Sequence, residues 1–135
     1  MNAKIGHLAF YVTDMKASMD FYAKAFGCTH AFSLKNEKGE DWIEYIKLPS
    51  GQFLELFYLP EGMTDVVKDG MAYKHLCIEV DDCAEAAAHF AAAGIEIWRP
   101  LKQASDGNWQ VWIRDPDLNQ IEVMQISPDS PQAKA

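Results

Sequence analysis

The strongest constraint on the fold is that the chain repeats itself once. Residues 6–14 read GHLAFYVTD and residues 74–82 read KHLCIEVDD, which sets His7 against His75 at an offset of 68. Gly27 and Gly94 close similar segments at an offset of 67, which also separates Pro49 from Pro116 and Leu54-Glu55-Leu56 from Ile121-Glu122-Val123. Four anchors in the same order at nearly constant spacing identify two related modules, about residues 1–60 and 73–127. The link around residues 60–72 contains Gly, Asp and Pro.

Both modules share one expected order of elements. An apolar, β-prone run at 5–12 ends at Thr13-Asp14. Met15, Met19, Tyr22 and Phe26 then recur at i, i+4, i+7 and i+11, which predicts a helix over 15–26. Asp14 suits its N-cap and Gly27 its left-handed stop. Strands follow near 28–34, 41–48 and 52–59, with Asn36–Gly39 and Pro49–Gly51 as turns. The second module predicts a strand at 74–80 and an Ala-rich helix at 83–93 stopped by Gly94. Strands near 95–98, 109–114 and 119–126 complete it, with Asp115-Pro116-Asp117 as the last turn. The order is β-α-β-β-β twice, an α+β fold. The polar tail SPDSPQAKA is expected to fray.

Strand alternation selects the chemical candidates. His7 shares a face with Ala9 and Tyr11, opposite Leu8, Phe10 and Val12, whose face would take the helix. Glu55 falls with Phe53 and Phe57; Glu122 lies between Gln120 and Met124; His75 accompanies Cys77 and Glu79. A carboxylate on an otherwise apolar face is costly unless paired, protonated or bound to a cation. Alone, a strand histidine is ordinarily a hydrogen-bonded structural residue and a strand glutamate snorkels at an edge. Recurrence at matching places in two modules makes His7, Glu55, His75 and Glu122 one set. About a pseudo-two-fold axis they would give two imidazoles and two carboxylates, suited to Zn, Ni, Co, Fe or Mn rather than Cu(I). His30 and His89 gain nothing from the repeat and read as surface or structural residues. Cys77 reads as a small buried hydrophobe.

Composition narrows the partners. With 49% hydrophobic residues and 12% aromatics the chain of 135 residues can bury a core as one domain, residues 1–135. A net charge of −8 without any Lys/Arg cluster disfavours nucleic acid and anionic membrane surfaces. Three scattered cysteines and no signal-peptide pattern at the N-terminus point to a reducing cytoplasm. A small-molecule or protein partner is left.

The segments GHLAFYVTDMKASMDFYAKAFG, GQFLELFY, YKHLCIEVDD and DPDLNQIEV resemble the vicinal-oxygen-chelate superfamily over residues 5–127. Its glyoxalase I (lactoylglutathione lyase) branch uses the metal set His, Glu, His, Glu, matched here by His7, Glu55, His75 and Glu122. The resemblance implies two βαβββ modules forming a half-open barrel around a divalent metal, commonly in a homodimer. It implies proton transfer through an enediolate, with Glu122 as principal base and Glu55 serving the opposite face. The sequence departs from that branch where Tyr11 and Leu59 replace an Arg and an Asn that meet glutathione, and where Leu118 replaces a turn glycine. Lys102, Arg99, Trp42 and Trp109 are candidate substrate contacts. Competing readings are an extradiol dioxygenase using His7, His75 and Glu122, an epimerase, a thiol transferase, and a non-enzymatic resistance protein that sequesters a small molecule.

Overall fold

The computed structural model describes residues 5–63 and 74–135, which form two compact units, Met1–Asp69 and Gly70–Ala135. Most of the expected link at 60–72 lies outside the described residues.

In the first unit, β1 (His7–Val12) leads into α1 (Met15–Phe26), followed by β2 (Thr29–Lys35), β3 (Asp41–Lys47) and β4 (Phe53–Tyr58). The sheet order is β1-β4-β3-β2, with β1 parallel to β4 and the remaining pairs antiparallel. The parallel pair follows from the crossover, because a helix must intervene before the chain can return alongside its first strand. Asp14 caps α1 by accepting from the Ala17 amide, and Gly27 ends it at φ 67°. Tyr22 meets Phe10 of β1 at 5.9 Å between ring centroids, so the helix covers the face of Leu8, Phe10 and Val12. The helix is rotated slightly from its apolar stripe. Ser18, Tyr22 and Ala25 are its buried residues, while Met15, Met19 and Phe26 flank them half-buried, because small side chains at the line of contact let the backbone approach the sheet.

The second unit repeats the plan with β5 (Leu76–Glu79), α2 (Cys83–Ala92), β6 (Ile97–Gln103), β7 (Trp109–Arg114) and β8 (Gln120–Gln125), in the order β5-β8-β7-β6. Asp82 caps α2 through the amides of Ala84 and Glu85, and Gly94 stands beyond it at φ 68°. Val111, Ile113, Ile121 and Val123 are fully buried, and the Cys83 thiol of α2 reaches the Val123 carbonyl at 3.3 Å. The βαβββ order is thus present twice, as expected.

Two expectations change. β6 runs well past residue 98 through Pro100, which its edge position permits, since an edge strand has one side free of ladder bonds. The tail does not simply fray. Ser130 is buried and caps a short α3 (Pro131–Lys134), and the fully buried Asn108 donates to Gln132 and accepts from the Ser127 amide. A buried amide needs several partners, and the tail supplies them.

Candidate functional site

The four candidate ligands stand as two pairs, one in each unit. In the first, His7 Nε2 lies 3.3 Å from Glu55 Oε1; in the second, His75 Nε2 lies 3.1 Å from Glu122 Oε2. The carboxylates belong to the interior and the histidines are more open. Glu55 and Glu122 are 5% and 9% exposed, whereas the side chains of His7 and His75 are 50% and 31% exposed. Register explains why the pairs match. Glu55 stands across from Ala9, two residues beyond His7; Glu122 stands across from Cys77, two residues beyond His75. On the other side the antiparallel neighbours are Tyr45 and Trp112.

The separations suit a shared cation. Two donors about 2.1 Å from one metal stand about 3.0 Å apart at a right angle and about 3.4 Å apart at the tetrahedral angle. A charge-assisted hydrogen bond would be closer, at about 2.7–2.9 Å. Imidazole nitrogen with carboxylate oxygen is also a donor set that divalent Zn, Ni, Co, Fe or Mn accepts. Among the described residues, no cluster of three or more His, Cys, Asp or Glu side chains is placed to hold a metal, and each His–Glu pair stands as a two-donor group.

The surroundings of the pairs differ. The Tyr45 hydroxyl is hydrogen-bonded to Glu55, which raises its pKa, and its ring stands edge-on to His7 at 6.4 Å. The same face carries Tyr11 against Phe57, Trp42 against Phe57, Phe32 stacked on Tyr45 at 4.2 Å, and Phe53 beside Tyr45. Tyr11, Phe32 and Trp42 are all exposed, so this aromatic face is open to a ligand. In the second unit Trp112 packs edge-on to His75 at 4.9 Å, and Glu122 Oε1 accepts from Gln110 Nε2 at 2.9 Å. His75 Nδ1 is buried without a hydrogen-bond partner among the described residues, so packing against Trp112 orients that ring. Arg99 lies over both Trp98 and Trp112, at 4.2 and 5.3 Å from guanidinium to centroid. Arg114 also stands over Trp98.

Other sequence candidates fall as follows. Lys102 is exposed on the edge strand β6, and Trp109 is exposed at the start of the inner strand β7. Cys77 is exposed rather than buried. The reason is visible in the alternation: it shares the open face of β5 with His75 and sits beside Glu122. Desolvation of the thiol, reinforced by the Glu122 carboxylate, pushes its pKa up to about 12. His30 is structural, as expected, but its partner was not legible. It lies 2.7 Å from Glu44, a buried carboxylate that also accepts from Ser33 at 2.5 Å and from Tyr58 at 3.1 Å. Glu44 pairs with Leu56 on the face opposite Glu55. The repeat could not reveal it, because it has no counterpart in the second module: residue 111, at the offset of 67, is Val.

A family model described as the Glyoxalase/Bleomycin resistance protein/Dioxygenase superfamily matches residues 4–123. A probable lactoylglutathione lyase of Vibrio cholerae is 31% identical over 130 residues, covering 92% of this chain and 91% of that protein. The lactoylglutathione lyase of Escherichia coli O157:H7 is 26% identical, covering 88% and 90%. Among solved structures, a glyoxylase/bleomycin resistance protein/dioxygenase domain from a Frankia species superimposes with a TM-score of 0.78 at 19% identity, over 94% of this chain and 100% of that one. A lactoylglutathione lyase from Agrobacterium tumefaciens gives 0.69 at 25% identity, over 92% and 94%.

Proposed function

Because the chain belongs to the Glyoxalase/Bleomycin resistance protein/Dioxygenase superfamily, we propose that it is a metal-dependent, glyoxalase-like lyase or isomerase. Its substrate is a hydroxycarbonyl compound or hemithioacetal, and the reaction is a proton transfer between adjacent carbons through an enediolate. The observation that carries this reading is the pairing of two buried carboxylates with imidazole nitrogens at equivalent register, at 3.3 and 3.1 Å. His7, Glu55, His75 and Glu122 would hold one divalent metal, Zn or Ni in first place, built from one chain or across a homodimer.

The cation, when bound, acidifies the C–H beside a chelated carbonyl and stabilises the oxygen charge that develops. The chain's own work is to move the proton. Glu122 is assigned as principal base and Glu55 as the group able to serve the opposite face. Both carboxylates are almost wholly out of water, where a proton acceptor is not levelled by solvent. The four-residue set argues against the dioxygenase reading, which needs only three of the four, and against a binding-only protein, which needs none.

The substrate need not contain glutathione. Tyr11 and Leu59 occupy the places where glutathione-using relatives carry an Arg and an Asn, and both are exposed. A site without those polar contacts loses little when the substrate lacks their partners. The aromatic face of Tyr11, Phe32, Trp42 and Phe57 favours an apolar or flat substituent instead. No helix among the described residues is long and apolar enough to cross a membrane; the proposed cytoplasmic setting is supported by the three free cysteines.

Elemental mass spectrometry of the purified protein, followed by turnover of methylglyoxal–glutathione hemithioacetal with added Ni or Zn, tests the reading. About one metal per chain is expected. Turnover would then make the protein a glyoxalase I that tolerates Tyr11 and Leu59. Metal without turnover would keep the site and direct the search to hydroxycarbonyl substrates free of glutathione. No metal after reconstitution would overturn the proposal.

A further inference from the structure

Glu122 has a support that Glu55 lacks. Gln110, on β7, donates from Nε2 to Glu122 Oε1 at 2.9 Å, and its own Oε1 accepts from Trp112 Nε1 at 2.6 Å. An indole N–H can only donate, so its partner must be the amide oxygen; that choice turns the amide NH2 toward Glu122. The two oxygens of Glu122 are thereby divided. Oε1 is occupied by the Gln110 amide, and Oε2 faces His75 Nε2 at 3.1 Å. Trp112 touches both ends, since its ring also packs against His75. In the first unit the residue across from the carboxylate is Tyr45 instead of Trp112, and two residues earlier Ile43 stands where Gln110 does. The relay has no counterpart there.

We infer that Gln110 is a positioning residue, which holds Glu122 so that Oε2 alone is presented to the metal, with Trp112 locking the Gln110 amide in the orientation this requires. The inference rests on the metal reading above. It assigns Glu122 to single-oxygen coordination and makes Trp112 act on the carboxylate through Gln110.

The test is a metal-affinity series, read by competition with a chromophoric chelator for Ni or Zn, on wild type, Gln110→Leu, Trp112→Phe and the double variant. Leucine keeps the bulk of Gln110 without a donor, and phenylalanine keeps a ring against His75 without the indole N–H. Loss of a hydrogen bond to a ligating carboxylate weakens metal binding by about 10–100-fold, the loss expected for Gln110→Leu. Trp112→Phe should weaken binding several-fold and add nothing to Gln110→Leu, because two links of one relay are not independent. The thermal midpoint of metal-free Gln110→Leu should stay near that of wild type, which separates positioning from folding. Wild-type affinity in Gln110→Leu would overturn the positioning role while leaving the metal reading intact. Fully additive losses in the double variant would overturn the relay. A wild-type protein that binds neither metal would sink the metal reading and the positioning role together.

Discussion

The two units carry the same His–Glu pair at the same register and support it by different means. In the first, Glu55 is met by the Tyr45 hydroxyl and His7 is half-exposed at the edge of an aromatic face. In the second, Glu122 is held by Gln110, Gln110 by Trp112, and His75 by the ring of that same Trp112. A repeated fold fixes where a side chain emerges, since register and alternation are properties of the backbone. How tightly the side chain is then held is decided by neighbours that the repeat leaves free to differ. In the proposed reaction the braced pair would keep the reacting oxygen in place, and the looser pair would accommodate the substrate.

Neutralising each carboxylate in turn is the harshest challenge to this asymmetry. Glu122→Gln removes the proposed base but keeps an oxygen that can accept from Gln110, so the fold should survive and turnover should fall by about 10²–10⁴. Glu55→Gln should cost less. Single-turnover kinetics on the metal-loaded variants would show it, and unchanged activity in Glu122→Gln would end the role assigned to that residue. Equal losses in the two variants would erase the distinction between the halves.

Metal retention asks the converse question. Glu55→Ala deletes a proposed ligand outright, so its metal affinity should fall by more than the roughly 10–100-fold expected when only a supporting residue is lost. Dialysis against a chelator with elemental analysis of the retained metal measures this. Full occupancy in Glu55→Ala would show that the first unit's pair is not part of the shell.

His30–Glu44 provides the control, because it is the same pair of residue types doing something else. At 2.7 Å, with Ser33 and Tyr58 filling the remaining positions on Glu44, it is a satisfied hydrogen-bond cluster tying β2 and β4 to β3. The half-exposed His30 side chain makes its contribution modest. His30→Ala should lower unfolding stability by about 1 kcal/mol in urea and leave metal affinity untouched. A shift in metal affinity would blur the line drawn between structural and ligating histidines.

The sequence made the β-α-β-β-β order legible twice because helix caps, turn residues and strand alternation are local. Asp14, Gly27 and Gly94 do what their residue types favour. The four candidate ligands were singled out through the repeat, and the structure pairs His7 with Glu55 and His75 with Glu122. What stayed hidden was anything resting on a partner distant in sequence and unrepeated. Glu44 is buried only because His30 and Ser33 of β2 and Tyr58 of β4 converge on it, and Gln110 matters only because the β7–β8 register brings it toward Glu122. Cys77 was misread for a related reason: a cysteine in an apolar strand is usually buried, but its alternation shared the open face with His75, and that signal was available. The tail was misread because nothing local announces that Asn108 needs its bonds.

The last difference lies in the turns that set register ahead of each ligand strand. Between β3 and β4 the left-handed residue is Gly51, at φ 101°; between β7 and β8 it is Leu118, at φ 64° and the only non-glycine with positive φ among the described residues. The left-handed region costs an L-residue about 1–2 kcal/mol, because Cβ crowds the following carbonyl. The turn is held regardless: buried Asp115 accepts from the amides of Asp117 and Asn119 and from the Asn119 side chain, while its carbonyl takes the Leu118 amide. Leu118 is 56% exposed, so little packing is lost on its removal. Relief of strain, offset by about 0.5–1 kcal/mol of glycine backbone entropy, gives Leu118→Gly a net stabilisation of roughly 0.5 kcal/mol. Urea unfolding of the metal-free protein would read it, and metal affinity should not move, since the Asp115 bonds already fix the register that sets Trp112 against Glu122. Destabilisation instead would mean that Leu118 earns its place through a contact that outweighs the strain.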